Sequence, residues 1–399
     1  MTNNLKKTHP QKYYIKLLFR SLYYLGLGDG WYEPTYRSPN HKKLYLVWAG
    51  ISNFYAMGII CNEFLANIRD DLSEREKNDL VQFTFAHFSI LCKMMSFYIK
   101  KSRMSFVFMK LLEETRSVFF SDVLDKKCVK QFMRYSIVLA GASYVALFST
   151  TIDAIRAHFK EGIPIRTEVT YYPRSSDSSI LVNIFRFFIQ FHWWYVVSIM
   201  MVIDSLAVAS LVYVSFKFKL LQLYFKQLRE KVLENHGKVE RKVLEEEFMK
   251  DFVVGVKIHA HALWCARNVQ EAFGWLYSVQ VFESVALMVM CLVKLVTTER
   301  NMIFLLAIFA YMCCLVILTG AYMMPAGDIT HEASLVPTAI FHCGWEFMRA
   351  DSKLRILAVF AIQQSQVPVY MTAFGIMTLS YNNFISVLRS SYSFFAVMY

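Results

Sequence analysis

Residues 180–213 read ILVNIFRFFIQFHWWYVVSIMMVIDSLAVASLVY, a run whose only charges are Arg186 and Asp204. As a helix it would be about 50 Å long. A hydrocarbon core of about 30 Å needs only some 20 apolar residues. Six further windows resemble it: 44–66, 81–99, 135–155, 272–296, 301–324 and 368–398. Across all seven the charges are Glu63, Lys93, Asp153, Arg186, Asp204, Glu283, Lys294 and Arg389. A charge at mid-bilayer costs roughly 2.5–3.5 kcal/mol on insertion scales, so charge depletion is what spanning helices require. The windows are continuous apolar runs rather than ten-residue alternations, which excludes a transmembrane barrel. The expected fold is an all-α polytopic membrane protein with seven spans. The composition of the 399 residues agrees, with 56% hydrophobic and only 19% charged.

Basic residues orient the chain. The first 43 residues are polar and basic and lack an apolar h-region, so no cleaved signal peptide is expected. With the N-terminus inside, the cytoplasmic connections hold 31 of the 43 Lys and Arg, and the outer ones hold 8. The positive-inside rule therefore predicts a cytoplasmic N-terminus and, after seven spans, an extracellular C-terminus. The net charge of +12 is then a topology signal. The basic residues are dispersed and no nucleic-acid module is present, so no nucleic-acid partner is expected; some basic side chains meet membrane lipid headgroups. A G-protein-coupled receptor has the opposite orientation, and neither Asp-Arg-Tyr after the third span nor Asn-Pro-x-x-Tyr in the seventh is present.

The chain divides into a cytoplasmic segment (1–43), spans one to four (44–213), cytoplasmic helical extensions (214–271), spans five and six (272–324), further cytoplasmic helices (325–367) and a last span (368–399). The glycine-rich Gly26-Leu27-Gly28-Asp29-Gly30 reads as a break after a juxtamembrane amphipathic helix. Val239, Val243, Leu244, Phe248, Phe252 and Val256 recur at helical spacing, and His236-Gly237 divides 214–271 into two helices. Pro368 stops a helix over 345–364. Residues 372–398 then form the last span, rich in small polar groups: Thr372, Thr378, Ser380, Asn382, Asn383, Ser386, Ser390, Ser391 and Ser393. Water lining is favoured over inter-helix hydrogen bonding for such a helix.

No catalytic pattern is complete. His331-Glu332 lacks a zincin's second histidine, because Leu335 stands there. His259, His261 and Cys265 are a weak metal set. No enzyme activity, cofactor or metal is expected, and the eight cysteines read as free thiols. Lys93 and Asp204 could pair within the bundle, while Glu283 has no partner visible from sequence; a structural role and an ion-path role stay open for all three. Aromatic residues and Met in the outer halves of spans two, three, four and six suit a small apolar ligand. The candidate ligand-binding residues are Phe88, Tyr144, Leu147, Phe148, His192, Tyr195, Ile199, Met200, Leu305, Ile308, Phe309 and Met312.

The C-terminal quarter resembles the insect odorant receptor family. The likeness rests on Gly320, on Glu332 through Trp345, on Gln363-Gln364-Ser365-Gln366-Val367-Pro368, and above all on Phe384-Ile385-Ser386-Val387-Leu388-Arg389-Ser390-Ser391-Tyr392-Ser393-Phe394. The end lacks the Gln-Phe of gustatory receptors. The resemblance implies a ligand-tuning subunit of a tetrameric, odorant-gated, non-selective cation channel at the plasma membrane of an olfactory neuron dendrite, assembled with an odorant receptor co-receptor subunit. It implies that the cytoplasmic helices form a shared anchor domain. It also implies that the last span lines the pore, with Val397 at the constriction and Ser393, Ser390 and Ser386 below it. A metabotropic chemoreceptor and a gustatory-type channel are the alternatives.

Overall fold

The computed structural model describes residues 9–28, 38–161, 169–174, 176–177, 179–297, 302–348 and 352–398. It is mostly helical. A short helix, α1 (Pro10–Tyr24), precedes α2 (Pro39–Ala66), α3 (Glu74–Glu113), α4 (Asp122–Glu161), α5 (Ile180–Asn235), α6 (Arg241–Thr297) and α7 (Met302–Ser334). Two short helices follow, α8 (Val336–Phe341) and α9 (Ser352–Ser365), then strands β1 (Thr372–Ala373) and β2 (Met377–Thr378), and finally α10 (Tyr381–Met398). Six of these helices, α2 to α7, are long and apolar enough to cross a membrane. The chain is therefore a multi-pass membrane protein.

Local chemistry sets the helix starts. Ser38 accepts from the His41 amide ahead of Pro39 at the first helical turn. Ser73 and Glu76 form a reciprocal capping box on α3, and Ser179 accepts from the Val182 amide on α5. At the same end of the bundle, Arg69 donates to both oxygens of Asp71 and to the Thr170 carbonyl, joining the α2 exit to the segment before α5. The Arg69 guanidinium holds the Asp71 carboxyl down at about 2.

The centre of the fold is α5. It is 56 residues long, about 84 Å, and α6 is of similar length. Both exceed a bilayer core by some 50 Å, so each continues beyond the membrane as the 214–271 pattern predicts. The break falls where expected: α5 ends at Asn235, and Gly237 takes the left-handed φ of +79°. Phe225, Phe248 and Phe252 are buried between the two extensions. Tyr224 donates to the Asp251 carbonyl at 2.7 Å, and Lys231 bridges Asp251 and Glu247 at 2.8 and 3.4 Å. Helices α8 and α9 complete this end, with Gly344 at a φ of +102° against Val232.

Element bounds in the last third of the chain are set by tertiary packing. The helix expected over 345–364 spans Ser352–Ser365, with Trp345–Phe347 in a separate 3-10 turn. Helix α7 continues from the sixth apolar window through Pro325 to Ser334. Pro325, Ala326, Ile329 and Ala333 are all buried, so packing outweighs the roughly 3 kcal/mol an interior proline costs. The last helix starts at Tyr381 and not at 372. Residues 372–378 form an antiparallel hairpin pairing Thr372 with Thr378 and Ala373 with Met377. Phe374 and Gly375, both at positive φ, make its turn, and Gln270 of α6 holds Thr372 through two bonds of 2.9 Å.

Gly255 lies against the α5 extension, where an added methyl would stand 2.7 Å from the Phe225 ring. Gly255→Ala should destabilise the purified chain by about 1–3 kcal/mol through overpacking. The expected result is a lower midpoint in thermal unfolding followed by tryptophan fluorescence.

Candidate functional site: a cavity between two buried polar clusters

Lys93, fully buried on α3, carries the densest polar contacts inside the bundle. Its ammonium lies 3.2 Å from Asp204 Oδ2 of α5 and 2.9 Å from Glu283 Oε2 of α6, and it also donates to Gln280 Oε1. Tyr322 of α7 donates to the other Asp204 oxygen at 2.7 Å. Gln280 donates onward to Ser284 at 3.0 Å. The Lys93–Asp204 pair matches the sequence reading. Glu283 finds the same lysine, so one cation serves two carboxylates from separate helices. A second buried pair lies between α2 and α3, with Glu63 Oε2 2.7 Å from His87 Nδ1. The His87 ring meets His192 and Trp193 edge to face at 5.6 and 6.4 Å.

A cavity of about 50 Å³ lies between these pairs, with room for several waters. His87 and Glu283 both line it. The other walls are Ala86 and Ile90 of α3; Ser143, Ala146, Leu147 and Thr150 of α4; Trp193, Val197 and Met200 of α5; and Tyr311, Cys314, Leu315 and Leu318 of α7. An apolar chamber with a carboxylate on one wall and an imidazole on another can enclose a small organic molecule and orient one polar group of it.

Of the residues expected to bind ligand, Leu147 and Met200 line this cavity. His192 is buried behind it and donates from Nε2 to the Ala56 carbonyl at 3.2 Å. Ile199 and Ile308 are buried, and Leu305 and Met312 are half-buried. Tyr195 donates to the Leu25 carbonyl at 2.7 Å, tying α1 to α5. The Tyr144 hydroxyl lies 2.8 Å from Ser198 Oγ, and its ring stacks on Trp194. Phe88, Phe148 and Phe309 face outward, at 47%, 59% and 65% exposure. The sequence reading passed over His87, Trp193, Tyr311 and Cys314. Their signal is the helical spacing 87–90, 193–197–200 and 311–314–318, each one helical face.

The expected pore residues lie on α10. Ser386, Ser390 and Ser393 are exposed along one face, while Val387 and Ser391 are buried on the other. Val397 is in the last turn, and its side chain lies outside the described residues, as do Asp29, Gly30 and the segment 162–168. Tyr381 opens the helix, packed 3.1 Å from where a side chain on Gly327 would begin, and donates to Asp328. His261 and Cys265 sit 3.7 Å apart at their nearest atoms, with His261 Nδ1 2.9 Å from Thr115 Oγ1. Among the described residues no group of three His, Cys, Asp or Glu side chains could hold a metal, and all eight cysteines are free.

The chain is thus a long-helix membrane bundle with a partly open, mostly apolar cavity among α3 to α7. The sequence model described as 7tm Odorant receptor matches residues 75–392, and the chain belongs to that family. Among the solved structures that share the fold are two of one receptor. The insect olfactory receptor OR5 from Machilis hrabei in complex with eugenol has a TM-score of 0.79 at 13% identity, covering 99% of this chain and 98% of that one. The same receptor in a second structure gives 0.77 at 13% identity, covering 100% and 98%. No curated protein sequence matches the chain.

Removing Lys93 strands two buried carboxylates. Lys93→Met should cost on the order of 3–5 kcal/mol and abolish surface delivery in a cell-surface labelling assay. Adding Asp204→Asn and Glu283→Gln to it should restore delivery, because a neutral cluster carries no unpaired charge. Equal loss in the single and triple variants would show that the charges are not what matters.

Proposed function

We propose that the chain is the odorant-binding, ligand-tuning subunit of an odorant-gated, non-selective cation channel, and that its ligand enters the cavity between His87 and Glu283. The single observation that carries the reading is this partly open, mostly apolar cavity in a chain of the odorant receptor family. The eugenol named for the Machilis hrabei receptor supports a small volatile as ligand. Walls of Leu147, Val197, Met200, Leu315 and Leu318 favour an apolar body, and Glu283 and His87 favour one hydrogen-bonding group on it. Binding would gate by favouring the arrangement of α3 to α7 that closes on the ligand.

Channel assembly is part of the same proposal. Helix α10 would be a seventh span; its 18 residues reach about 27 Å. The exposed stripe Ser386, Ser390 and Ser393 supports a water-facing role in an assembled pore, where four copies would turn it inward. The N-terminus would be cytoplasmic and the C-terminus extracellular, which the 31-to-8 division of basic residues supports. The long α5–α6 extensions with α8 and α9 would form an anchor domain shared with an odorant receptor co-receptor subunit. The assembly would act at the plasma membrane of an olfactory neuron.

Co-expression with a co-receptor should give cation current in response to members of a volatile panel, and the chain alone should give none. Leu147→Trp, which fills the chamber, should raise the half-maximal concentration at least tenfold without reducing surface expression. Odorant-evoked current from the chain alone, or an unshifted dose-response curve in Leu147→Trp, would overturn the corresponding half of the reading. For the pore, Ser390→Cys in co-expressed channels should react with a charged thiosulfonate reagent and reduce the current by more than about half. Full current after treatment, with a thiol reagent shown to label the protein, would move α10 away from the conduction path.

A further inference from the structure

A second concave site lies at the opposite end of α4 from the ligand chamber. It is a solvent-open hollow of about 460 Å³ between α4 and α5, lined by Leu124, Lys127, Lys130, Gln131 and Arg134 of α4 and by Phe216 and Lys219 of α5. The spacing 127–130–134 places three cations on one helical face. Lys219 contributes a fourth, with its ammonium 4.7 Å from the Phe216 ring centre and 3.5 Å from Glu332.

The charge here is unbalanced. The carboxylates nearby are already engaged. Glu332 takes Lys219 and Gln222, Asp328 takes Gln131 and Tyr381, and Asp125 faces Arg116 at 3.5 Å. Among the described residues Lys127, Lys130 and Arg134 have no ion pair. Three like charges converging on one hollow repel one another, and a dispersed solvated face would avoid that. The side chains are aliphatic to their tips and the floor is Phe216, so a molecule can be held by its charge against an apolar base. The apolar window of α4 begins at residue 135, one residue past Arg134. The hollow therefore sits at the level where a bilayer's headgroups begin.

We propose that this hollow binds a phosphate-dense anionic headgroup, of the doubly phosphorylated inositol type. A phosphate monoester carries about −1.5 to −2, so two of them balance three unpaired cations and a single phosphodiester does not. Arg134 supplies a bidentate fork for one phosphate, and the lysines supply compact charges for the other. Gln131 shares the wall and donates to Asp328, which also accepts from Tyr381 at the first residue of α10. An occupant thus stands one side chain away from the contact that holds the last helix. The same chemistry is presented by a membrane phosphoinositide and by a free inositol phosphate. The site depends on the membrane-spanning fold, and not on channel gating or on a partner subunit.

The test uses the purified full chain in detergent, titrated separately with short-chain phosphatidylinositol 4,5-bisphosphate, inositol 1,4,5-trisphosphate and short-chain phosphatidylserine, with binding read by intrinsic fluorescence. Near an anionic surface each Lys or Arg is worth about fivefold. The variant Lys127→Gln/Lys130→Gln/Arg134→Gln should therefore bind the bisphosphate lipid on the order of 100-fold more weakly. A control with the same loss of charge on exposed sites elsewhere, Lys126→Gln/Lys238→Gln/Lys242→Gln, should stay within about threefold of the parent. Arg134→Gln alone, on an exposed side chain, should lose about fivefold and keeps the test readable if the triple variant melts early. Binding of the lipid but not of the trisphosphate assigns the hollow to the membrane lipid, and equal binding of both assigns it to the headgroup alone. Equal affinity in the triple variant and its control, or serine lipid binding as tightly as the bisphosphate, overturns the proposal. Failure here would leave the odorant-channel reading intact, because that reading is tested by current and this one by binding in detergent.

Discussion

One lysine holds the bundle in register. Lys93 is fully buried and answers carboxylates on α5 and α6, while Tyr322 of α7 closes the fourth side through Asp204. Taking such charges out of water costs several kcal/mol each, and the cost is offset only when geometry is good and the remaining lone pairs are bonded. A slip of α3, α5 or α6 by one turn, about 5.4 Å, would strand a charge in hydrocarbon, and a slip of α7 would remove the Tyr322 hydrogen bond from Asp204. The cluster therefore acts less as a source of net stability than as a constraint on which arrangement is allowed. The cavity borders it through Glu283, so a molecule bound in the proposed site would touch the same group that joins α3 to α6.

The long helices satisfy two solvents with one backbone. In the membrane part lipid is as apolar as the side chains, and helix contact rests on close packing and on hydrogen bonds such as Ser210 with Tyr277 at 2.9 Å. Beyond it, α5 and α6 meet water, and burial of Phe225, Phe248 and Phe252 works by the ordinary hydrophobic effect. Gly255 permits the close approach there.

Much of this was legible along the chain. Charge-poor apolar windows mark the long helices, six of which can cross a membrane, the His236-Gly237 break marks the two extensions, and depth alone suggests that Lys93 meets Asp204. Glu283 looked partnerless because its partner was already assigned, and sequence offers no sign that one cation will serve two acids. The last helix was drawn too long because Thr372 to Thr378 is as apolar as a helical turn. Only the positive φ at Phe374 and Gly375, imposed by docking on α6, makes it a hairpin.

The ligand chamber shows the limit most clearly. Tyr144 and Phe148 were chosen for their chemistry, and each stands one residue from a wall residue, Ser143 and Leu147. One residue is about 100° around a helix, enough to turn a side chain from cavity to outer surface. The sequence by itself determined that these segments are helices, that they cross a membrane and which residues are costly inside it, because those properties depend on local hydrophobicity and period. The tertiary structure alone decided which face of each helix looks inward, because rotation about a helix axis is set by the neighbouring helices and leaves the local pattern unchanged.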